Sequence, residues 1–580
     1  MAYEIARPVT WDTVSATLAA CPVETKATAL QYIGSCASSY GADTQDVEMY
    51  LPEILQELDR PAAGKDVKLG VLSMLSALGP RAVASCYTTH IETLLADAQQ
   101  EVRYEACLTL VTAGMLLEGA APAMVRLLSD KSDMVRYGAC AALGSIKQQS
   151  YASEVMKLLE DPSPEVQGMA CVALAQMGST EQCGAIASRL ATGRSRVLCL
   201  QAFALMGAAG AAHLDAVVDC LTDPSEDARE AAIAAVKAVA TARSPSEASI
   251  KKVSALLLHQ DGQVRIAACR ALGSMGAAAI LENVPMLQDM LDDSFCMPVY
   301  TPLSLGGARP PAAPEARKVR CAAAMALAVL GEEAPQGVPE CVRKLIVLSD
   351  PETTTCAMEA LAKMGPAARP QAGYIMDVLK EDSASVRAKA ATALAATGDV
   401  ACAEEIVGLL KDPVALVREA ALHALANMEL QGDVSYVSKV YERVQDSSPS
   451  VCVAAIDALG MTAQGQHYAS LLAQRLQVEQ APEVLVATVR ALAQMGERGA
   501  SFAEDVAACL DSPTAIVRVA AAKSLGQMPC EEAGSFLQRL RELQLDQDEA
   551  VCVAARDAVQ NLVGSEPKYL MGELGVVDGE

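Results

Sequence analysis

The sequence predicts an all-α fold, an α-solenoid superhelix of about fifteen antiparallel helical hairpins. Three observations indicate it. One motif recurs at a nearly constant interval along the 580 residues. The chain is 52% apolar but only 3% aromatic, a balance typical of closely packed helices. No run alternates β-branched with polar residues as a half-buried strand would. A repeat array also lets a long chain grow without a second core.

The recurring motif is DMVRYGACAALGSI at 133–146, which returns as PEVQGMACVALAQM and later as AIVRVAAAKSLGQM. The valine before its basic position sets the register. Val135 and Val166 are 31 residues apart, as are Val386 and Val417. Most other intervals are 33 to 36 residues. A unit of this length has room for two helices joined by a tight turn.

Within a unit, a leucine pair followed by aspartate marks the end of the first helix, as in LLSDKSD and LLEDPSP. Aspartate accepts hydrogen bonds from free backbone donors, and proline suits the first turn of the next helix. The second helix carries Val, Ala, Ala and Leu on one face and is expected to end at glycine. These predicted ends are Gly144, Gly178, Gly207, Gly276, Gly331, Gly365, Gly398 and Gly496.

The repeat pattern divides the chain into predicted segments. Two runs of repeats, 21–291 and 319–563, lie on either side of a proline-rich insertion at 292–318. Residues 1–20 are expected to cap the first exposed face, because the ends of a solenoid need polar covers. Residues 564–580 leave the pattern and form a predicted acidic tail.

The turn aspartate, together with a basic residue near the start of the second helix, resembles the HEAT-repeat family, in particular its short, PBS-lyase-like branch. The resemblance implies a HEAT/armadillo-like solenoid, found in scaffolds, adaptors and a few enzymes. The basic residues form a predicted ladder: Arg103, Arg136, Arg229, Arg265, Arg320, Arg387, Arg418 and Arg518, with Lys68 in the same register. In other units the basic position holds Gln167, Leu198, Cys452, Leu485 or Cys552.

The ladder has two interpretations. In one, each arginine pairs with turn carboxylates, as Arg136 would with Asp130. In the other, the arginines form an anion-binding ridge. The first is favoured because turn acids lie near every ladder arginine in the sequence.

Two families of enzymes are built on repeats of this kind. Deoxyhypusine hydroxylases bind iron through His-Glu dipeptides, and none of the five histidines is followed by Glu. For the second family, the phycobilin lyases, nothing in this sequence distinguishes a chromophore pocket from an ordinary concave face. No P-loop, nucleophile elbow, dinucleotide fingerprint or zincin motif occurs. We therefore predict no catalytic, cofactor or metal site, with a lyase-like or maturation-factor enzyme as the alternative.

The net charge of −25 argues against nucleic acid and anionic membranes as partners, unless basic residues are segregated on one face. No apolar stretch reaches the length of a membrane span without a charged or strongly polar interruption, so no membrane insertion is expected. The nineteen cysteines are scattered and include no C-x-x-C pair, which predicts reduced, buried thiols. The expected setting is the cytoplasm, with the cytoskeleton as one location within it.

The insertion DDSFCMPVYTPLSLGGARPPAAPEARK lengthens the interval from Val264 to Val319 and contains five prolines, which predicts a loop. It is either a passive loop or a docking element, and its candidate partner contacts are Phe295, Tyr300, Leu303 and Leu305. Together these features predict a non-enzymatic scaffold or adaptor, a structural subunit of a larger cytosolic or cytoskeletal assembly. Its expected partners are proteins, basic or elongated ones included.

Overall fold

The computed structural model describes residues 55, 64–80, 83–84, 90–192, 195–291, 314–348, 350–428, 435–479, 481–528 and 533–565. All regular structure in these ranges is helical, with α-helices linked by short 3-10 segments and no strand. The all-α solenoid prediction is confirmed. The predicted cap at 1–20, insertion residues 292–313 and tail residues 566–580 lie outside the described residues.

The chain divides into two compact units, Met1–Asn283 and Val284–Glu580. The α-helices of the first unit are α1 Lys65–Leu78, α2 Glu92–Leu94, α3 Gln100–Ala113, α4 Ala121–Leu127, α5 Asp133–Ile146, α6 Ala152–Lys157, α7 Pro164–Gln176, α8 Cys183–Thr192, α9 Arg196–Met206, α10 Leu214–Asp219, α11 Glu226–Ala242, α12 Glu247–Leu256, α13 Gly262–Met275 and α14 Ala277–Leu281. Here the odd-numbered helices are the second helices of the repeats. They are called B helices below, and the first helices are called A helices.

The α-helices of the second unit are α15 Val284–Asp289, α16 Pro314–Leu327, α17 Gly337–Arg343, α18 Pro351–Met364, α19 Ala372–Val378, α20 Ala384–Ala396, α21 Ala403–Gly408, α22 Ala415–Asn427, α23 Ser435–Glu442, α24 Pro449–Met461, α25 Ala469–Leu476, α26 Pro482–Gln494, α27 Glu497–Ala500, α28 Ala503–Ala508, α29 Ala515–Leu525, α30 Ala533–Glu542 and α31 Glu549–Ser565. Its B helices are α16, α18, α20, α22, α24, α26, α29 and α31.

Within each unit the B helices pack side by side in chain order, and the A helices cover one side of that layer. The sequence explains the contact. Val135, Ala139 and Leu143 lie at i, i+4 and i+8 on α5, and all three are completely buried. A single hairpin cannot bury such a face alone, so each B helix is stabilised by its two neighbours.

Seven of the eight predicted helix ends have a glycine with positive φ, but the prediction for Gly144 is wrong. Gly144 lies inside α5, and the left-handed residue after that helix is Lys147, with φ of 59°. Gly144 serves packing instead. A Cβ on it would lie 2.8 Å from the Cα of Ala173, so its missing side chain lets α5 and α7 cross closely.

The insertion lies inside one hairpin. The helices on either side of it, α15 and α16, pack against each other as an A and a B helix. It therefore lengthens the A–B turn, which the remaining repeats close with a few residues. The sequence interpretation had placed it between two intact units. Helix α16 begins at Pro314, so residues 314–318 of the predicted loop are helical, and α31 likewise extends to Ser565.

Cysteines occupy the small-residue positions of the B-helix core. Cys107, Cys140 and Cys269 are completely buried, and no disulfide occurs in the described part of the chain. Burial raises the pKa of Cys107 and of Cys269 to about 12 and also raises that of Cys140. These thiols are protonated at neutral pH and are poor nucleophiles.

One stretch of the described chain, Arg196–Thr222, is long and apolar enough to span a membrane by length and composition. It is not a single helix. Gly207, with φ of 51°, ends α9, and the chain turns into α10, both of which pack in the repeat stack. The apolar character of this stretch follows from its place in a helical core.

Candidate protein-binding faces

The ladder arginines join consecutive repeats. Arg136 donates from Nε and Nη2 to the two carboxylate oxygens of Asp161, at 2.7 and 2.8 Å, and Asp161 belongs to the next repeat. Its Nη1 donates to the backbone carbonyl of Asp130 at 3.0 Å. Asp130 in turn accepts two hydrogen bonds from Arg103 of the preceding repeat. Each of these arginines thus forms hydrogen bonds with the turn of its own repeat and with the turn of the next repeat.

The structure brings five predicted ladder arginines into this arrangement. The pairs are Arg103–Asp130, Arg136–Asp161, Arg387–Asp412, Arg418–Asp446 and Arg518–Asp546. Lys68 reaches Asp97 in the same way, at 2.6 Å. Arg229 and Arg265 donate to the backbone carbonyls of their own turns, and Arg320 is buried. Opposite Arg229, the position that holds aspartate in those pairs is His259.

Two ladder arginines were missed by the sequence analysis. Arg196 pairs with Asp223 and donates to the carbonyl of Leu190, so this arginine, and not Leu198, fills the ladder position of its repeat. Arg317 pairs with Asp350 at 3.2 Å. A signal for Arg196 was present in the sequence, because Gly207 follows Val197 two residues sooner than the corresponding glycines follow their valines.

Where the arginine is replaced, the substitute still holds its own turn. The Gln167 amide donates to the Asp161 carbonyl at 2.6 Å. The thiols of Cys452 and Cys552 donate to the carbonyls of Asp446 and Asp546, both at 3.1 Å. The intra-repeat contact is therefore more general than the carboxylate pair between repeats.

The paired carboxylates are stabilised in their charged form. Burial opposes ionisation of Asp446, but hydrogen bonds from Arg418 and from the Ser448 backbone N–H outweigh it and lower its pKa. Asp161 has the same balance with Arg136 and Ser163. These side chains are nearly buried, with 10% of Arg418 and 4% of Asp446 exposed. The ladder therefore lies at partly desolvated positions, where an ion pair is costly to break.

Within the described residues, no group of three or more His, Cys, Asp and Glu side chains is arranged to hold a metal ion. A groove of about 620 Å³ in the second unit has Ala395, Ala396 and Gly398 among its lining residues, with Glu332 and His423. His423 lies 4.0 Å from Glu419, and the hydroxyl of Thr392, which also lines the groove, donates to the backbone carbonyl of Ala388 at 3.2 Å. The arrangement offers a surface for contact, with no described acid–base–nucleophile set.

The B helices of the second unit expose apolar side chains that repeat stacking does not use. This B-helix face includes Leu416, Met461, Ile516 and Val553, which are 52%, 59%, 59% and 45% exposed. Half-buried valines stand between them at one equivalent position of successive helices: Val453 on α24, Val486 on α26 and Val519 on α29. Because these B helices pack in sequence, Val453, Val486, Val519 and Val553 form a row across successive helices, and this row with the exposed side chains beside it is called the aliphatic row.

The candidate contacts of the insertion, Phe295, Tyr300, Leu303 and Leu305, lie outside the described residues. The helices on either side of the insertion, α15 and α16, belong to the described residues. The A helix before the insertion, α15, ends at Asp289, and the B helix after it, α16, begins at Pro314.

Family comparison matches this repeat geometry. A model described as HEAT repeats matches residues 87–154, 126–206, 214–295 and 374–460, and one described as PBS lyase HEAT-like repeat matches 517–541. Together they match more than half of the chain. The chain belongs to the HEAT-repeat family. The hairpins described above are therefore HEAT repeats, and the Arg–Asp ladder is their intra-stack link in this chain.

Solved structures with similar folds include importin beta and a karyopherin. A structure of importin beta is 13% identical, with a TM-score of 0.51, covering 95% of this chain and 89% of that one. The karyopherin Kap121p bound to the SUMO protease Ulp1p is also 13% identical, with a TM-score of 0.49, covering 97% and 71%. At such identity the likeness to importin beta shows the solenoid fold alone. No curated protein matches the sequence.

Proposed function

We propose that this HEAT-repeat protein is a non-enzymatic scaffold that binds other proteins through its B-helix faces, as a structural subunit of a larger cytoplasmic assembly. The aliphatic row of the second unit carries the proposal. Its side chains are exposed although the core does not need them, and contiguous exposed apolar surface is typical of protein-binding sites. The solenoid of importin beta is similar in fold.

The chemistry of the described residues supports a binding role. Ladder side chains such as Arg136 and Arg418 are engaged by turn carboxylates, Arg229 and Arg265 are engaged by turn carbonyls, and core thiols such as Cys107 are protonated. A binding solenoid needs neither a reactive group nor a cofactor. A cytoskeletal assembly remains one of the settings that we propose, and basic or elongated proteins remain the proposed partners.

The insertion is proposed as a second docking element, with Phe295, Tyr300, Leu303 and Leu305 as its contacts. Its position supports the idea. Elsewhere an A–B turn closes with a few residues, as at Asp161, so the hairpin of α15 and α16 does not need so long a turn to form. A long loop costs little stability, because loop-closure entropy grows only logarithmically with length.

Replacing Ile516 and Val553 together by Asp is expected to reduce recovery of bound proteins about tenfold or more, because a few apolar anchors carry much of an interface's free energy. The measurement is quantitative mass spectrometry of proteins recovered with the tagged full-length chain. The matched control replaces Val478 and Leu545 by Asp. These side chains are 81% and 89% exposed but lie outside the B helices.

Equal losses for both double variants, or none for either, would contradict binding through the B-helix face. A third variant lacking residues 294–311 tests the insertion separately. It should melt at the wild-type temperature and lose a subset of partners. Full recovery of every partner would make the insertion a passive loop.

A further inference from the structure

A second exposed surface in the first unit combines aromatic and apolar side chains. It is called the tyrosine surface here and consists of Tyr104, Leu108 and Val111 on α3 with Met134 and Tyr137 on α5. The α3 residues lie at i, i+4 and i+7, on one side of that helix. Val111 is 36% and Met134 is 45% exposed, and the other three are half-buried. The row continues into Met115 and Leu116, which are 59% and 60% exposed.

The two tyrosines are held together by a close helix crossing. A Cβ on Gly138 would lie 3.1 Å from Cδ2 of Tyr104 and 3.0 Å from Cβ of Cys107, so the Tyr104 ring lies directly against α5. Burial raises the pKa of both tyrosines, and for Tyr137 the neighbouring Tyr104 adds to the effect. In the described part of the chain neither hydroxyl has a hydrogen-bond partner. The Tyr104 ring is therefore packed against α5, and the hydroxyl groups of both tyrosines are available to a partner.

Acidic side chains surround this apolar centre. Glu101 and Glu105 lie on α3, Asp133 on α5, and Glu165 stands on α7 at the position that Met134 occupies on α5. Glu105 is half-buried, burial raises its pKa, and its carboxylate has no partner among the described residues.

Among the described residues, none of the basic side chains nearby, which are Lys65, Arg103, Arg136 and the exposed Lys131, forms a salt bridge with Glu105 or Glu165. Arg103 and Arg136 are turned to Asp130 and Asp161 at the ladder. Lys65 pairs with Glu101 at 2.9 Å, and within the described ranges no ion pair joins it to the other acidic residues around the apolar centre.

We propose that the tyrosine surface binds an amphipathic segment of a partner protein in which Lys or Arg residues flank apolar anchors. This rests on the proposed protein-binding function and names the chemistry of one partner. Tyrosine is enriched among the residues that dominate interface energies. A half-buried, unpaired carboxylate such as that of Glu105 gains most from a cation brought by the ligand. The same acids repel phosphate, which argues against a nucleic acid or an anionic lipid.

The second unit supplies an internal contrast. At the position of Tyr104 and Tyr137, its helices α24, α26 and α29 carry Val453, Val486 and Val519. One pair of charges there is matched, because Arg490 donates to both carboxylate oxygens of Asp457 at 2.6 Å, and Glu483 on α26 stands at the position of Glu165 but without a half-buried neighbour such as Glu105. Preference for a basic segment is therefore expected of the first unit and not of the aliphatic row.

The test is selection of peptides from a random display library on the intact protein. Peptides that lose binding on Met134→Lys, an exposed substitution that leaves the core untouched, are taken as ligands of the tyrosine surface. They should carry Lys or Arg among apolar residues. Glu105→Gln with Glu165→Gln should weaken them about tenfold or more. The control Glu404→Gln with Glu405→Gln makes the same charge change on an A helix and should leave their affinity nearly unchanged.

Met134-dependent peptides without basic residues, or equal weakening by the two glutamine pairs, would overturn the proposal. So would a selection in which no peptide depends on Met134. If the recovered peptides depend instead on Ile516 and Val553, the scaffold function stands and only the tyrosine surface is refuted. If none depends on either surface, both proposals fail.

Discussion

Replacing Arg418 by Met is expected to destabilise the packing of α22 against α24 by about 3 kcal/mol, because it removes both hydrogen bonds that the guanidinium donates to the nearly buried Asp446 carboxylate. The remaining cation near Asp446 is Arg443, whose Nη1 lies 3.6 Å from Oδ2. The Arg418 guanidinium also closes its own turn, donating to the carbonyls of Asp412 and Pro413. In a repeat protein the loss is local, since each repeat contacts only its neighbours. Hydrogen exchange of the core amides of α22 and α24 should accelerate about 100-fold or more.

Arg490→Met is the matched control for that substitution. Arg490 also bridges two consecutive B helices, but half of its side chain is exposed. An exposed pair contributes about 1 kcal/mol or less, so exchange should change only a few-fold. Equal effects of the two substitutions would contradict the assignment of the ladder as a buried inter-repeat link.

The loss of stability caused by Arg418→Met is expected to depend on pH. The folded-state pKa of Asp446 is lowered, so the stability that it contributes is complete above its unfolded pKa of about 4 and is lost as pH falls through the folded value. The free energy of unfolding of wild type should therefore exceed that of Arg418→Met by the full amount at neutral pH, and this difference should become smaller as the pH falls into the acid range. A difference that stayed constant down to the acid transition would show that the ion pair is not its source.

Replacing Phe203 by Ala is expected to lower the free energy of unfolding by about 3–5 kcal/mol, because the side chain is completely buried and its removal leaves a cavity. Its ring occupies the space beside Gly210, where a Cβ would lie 2.9 Å from Cδ1 of the ring. The surrounding helices cannot collapse fully onto the cavity, since α7 and α11 are fixed by their own neighbours. Hydrogen exchange should show opening centred on α7, α9 and α11.

Leu205→Ala provides the comparison on the same helix. Leu205 is 53% exposed, so its removal should change stability by about 0.5 kcal/mol or less. Destabilisation spread evenly over both units by Phe203→Ala would contradict the nearest-neighbour behaviour expected of stacked repeats.

The sequence predicted the repeat and its core because both follow from a short periodic pattern. Val135 and Leu143 belong to a stripe that only a buried helix face explains. The partner of Arg136 could not be predicted in the same way. Asp130 is nearer in the chain, whereas Asp161 is nearer in space to its guanidinium, because the next hairpin is stacked against the first. Sequence distance carries no information about that stacking offset.

Glycine illustrates a second limit. Gly178 and Gly144 each lie near the end of a B helix, but Gly178 follows its register valine by twelve residues and Gly144 by nine, and only Gly178 has positive φ. Gly144 is required by the nearness of Ala173 on the following helix, a contact between repeats that the pattern within one repeat does not encode. The exposed faces were the hardest to predict. An apolar side chain on an exposed face differs from a core side chain only in having no core contact. That difference can be recognised only in the packed structure.

Cross-linking of the native assembly through lysine tests the central claim most directly. The B helices expose Lys237, Lys318 and Lys523, and the A helices expose Lys157, Lys251 and Lys439, so both sides of the repeat layer are sampled. Binding through the B-helix faces predicts that links to partner proteins concentrate on the first three lysines. Partner links concentrated on the A-helix lysines, with the B-helix lysines left unlinked, would contradict it.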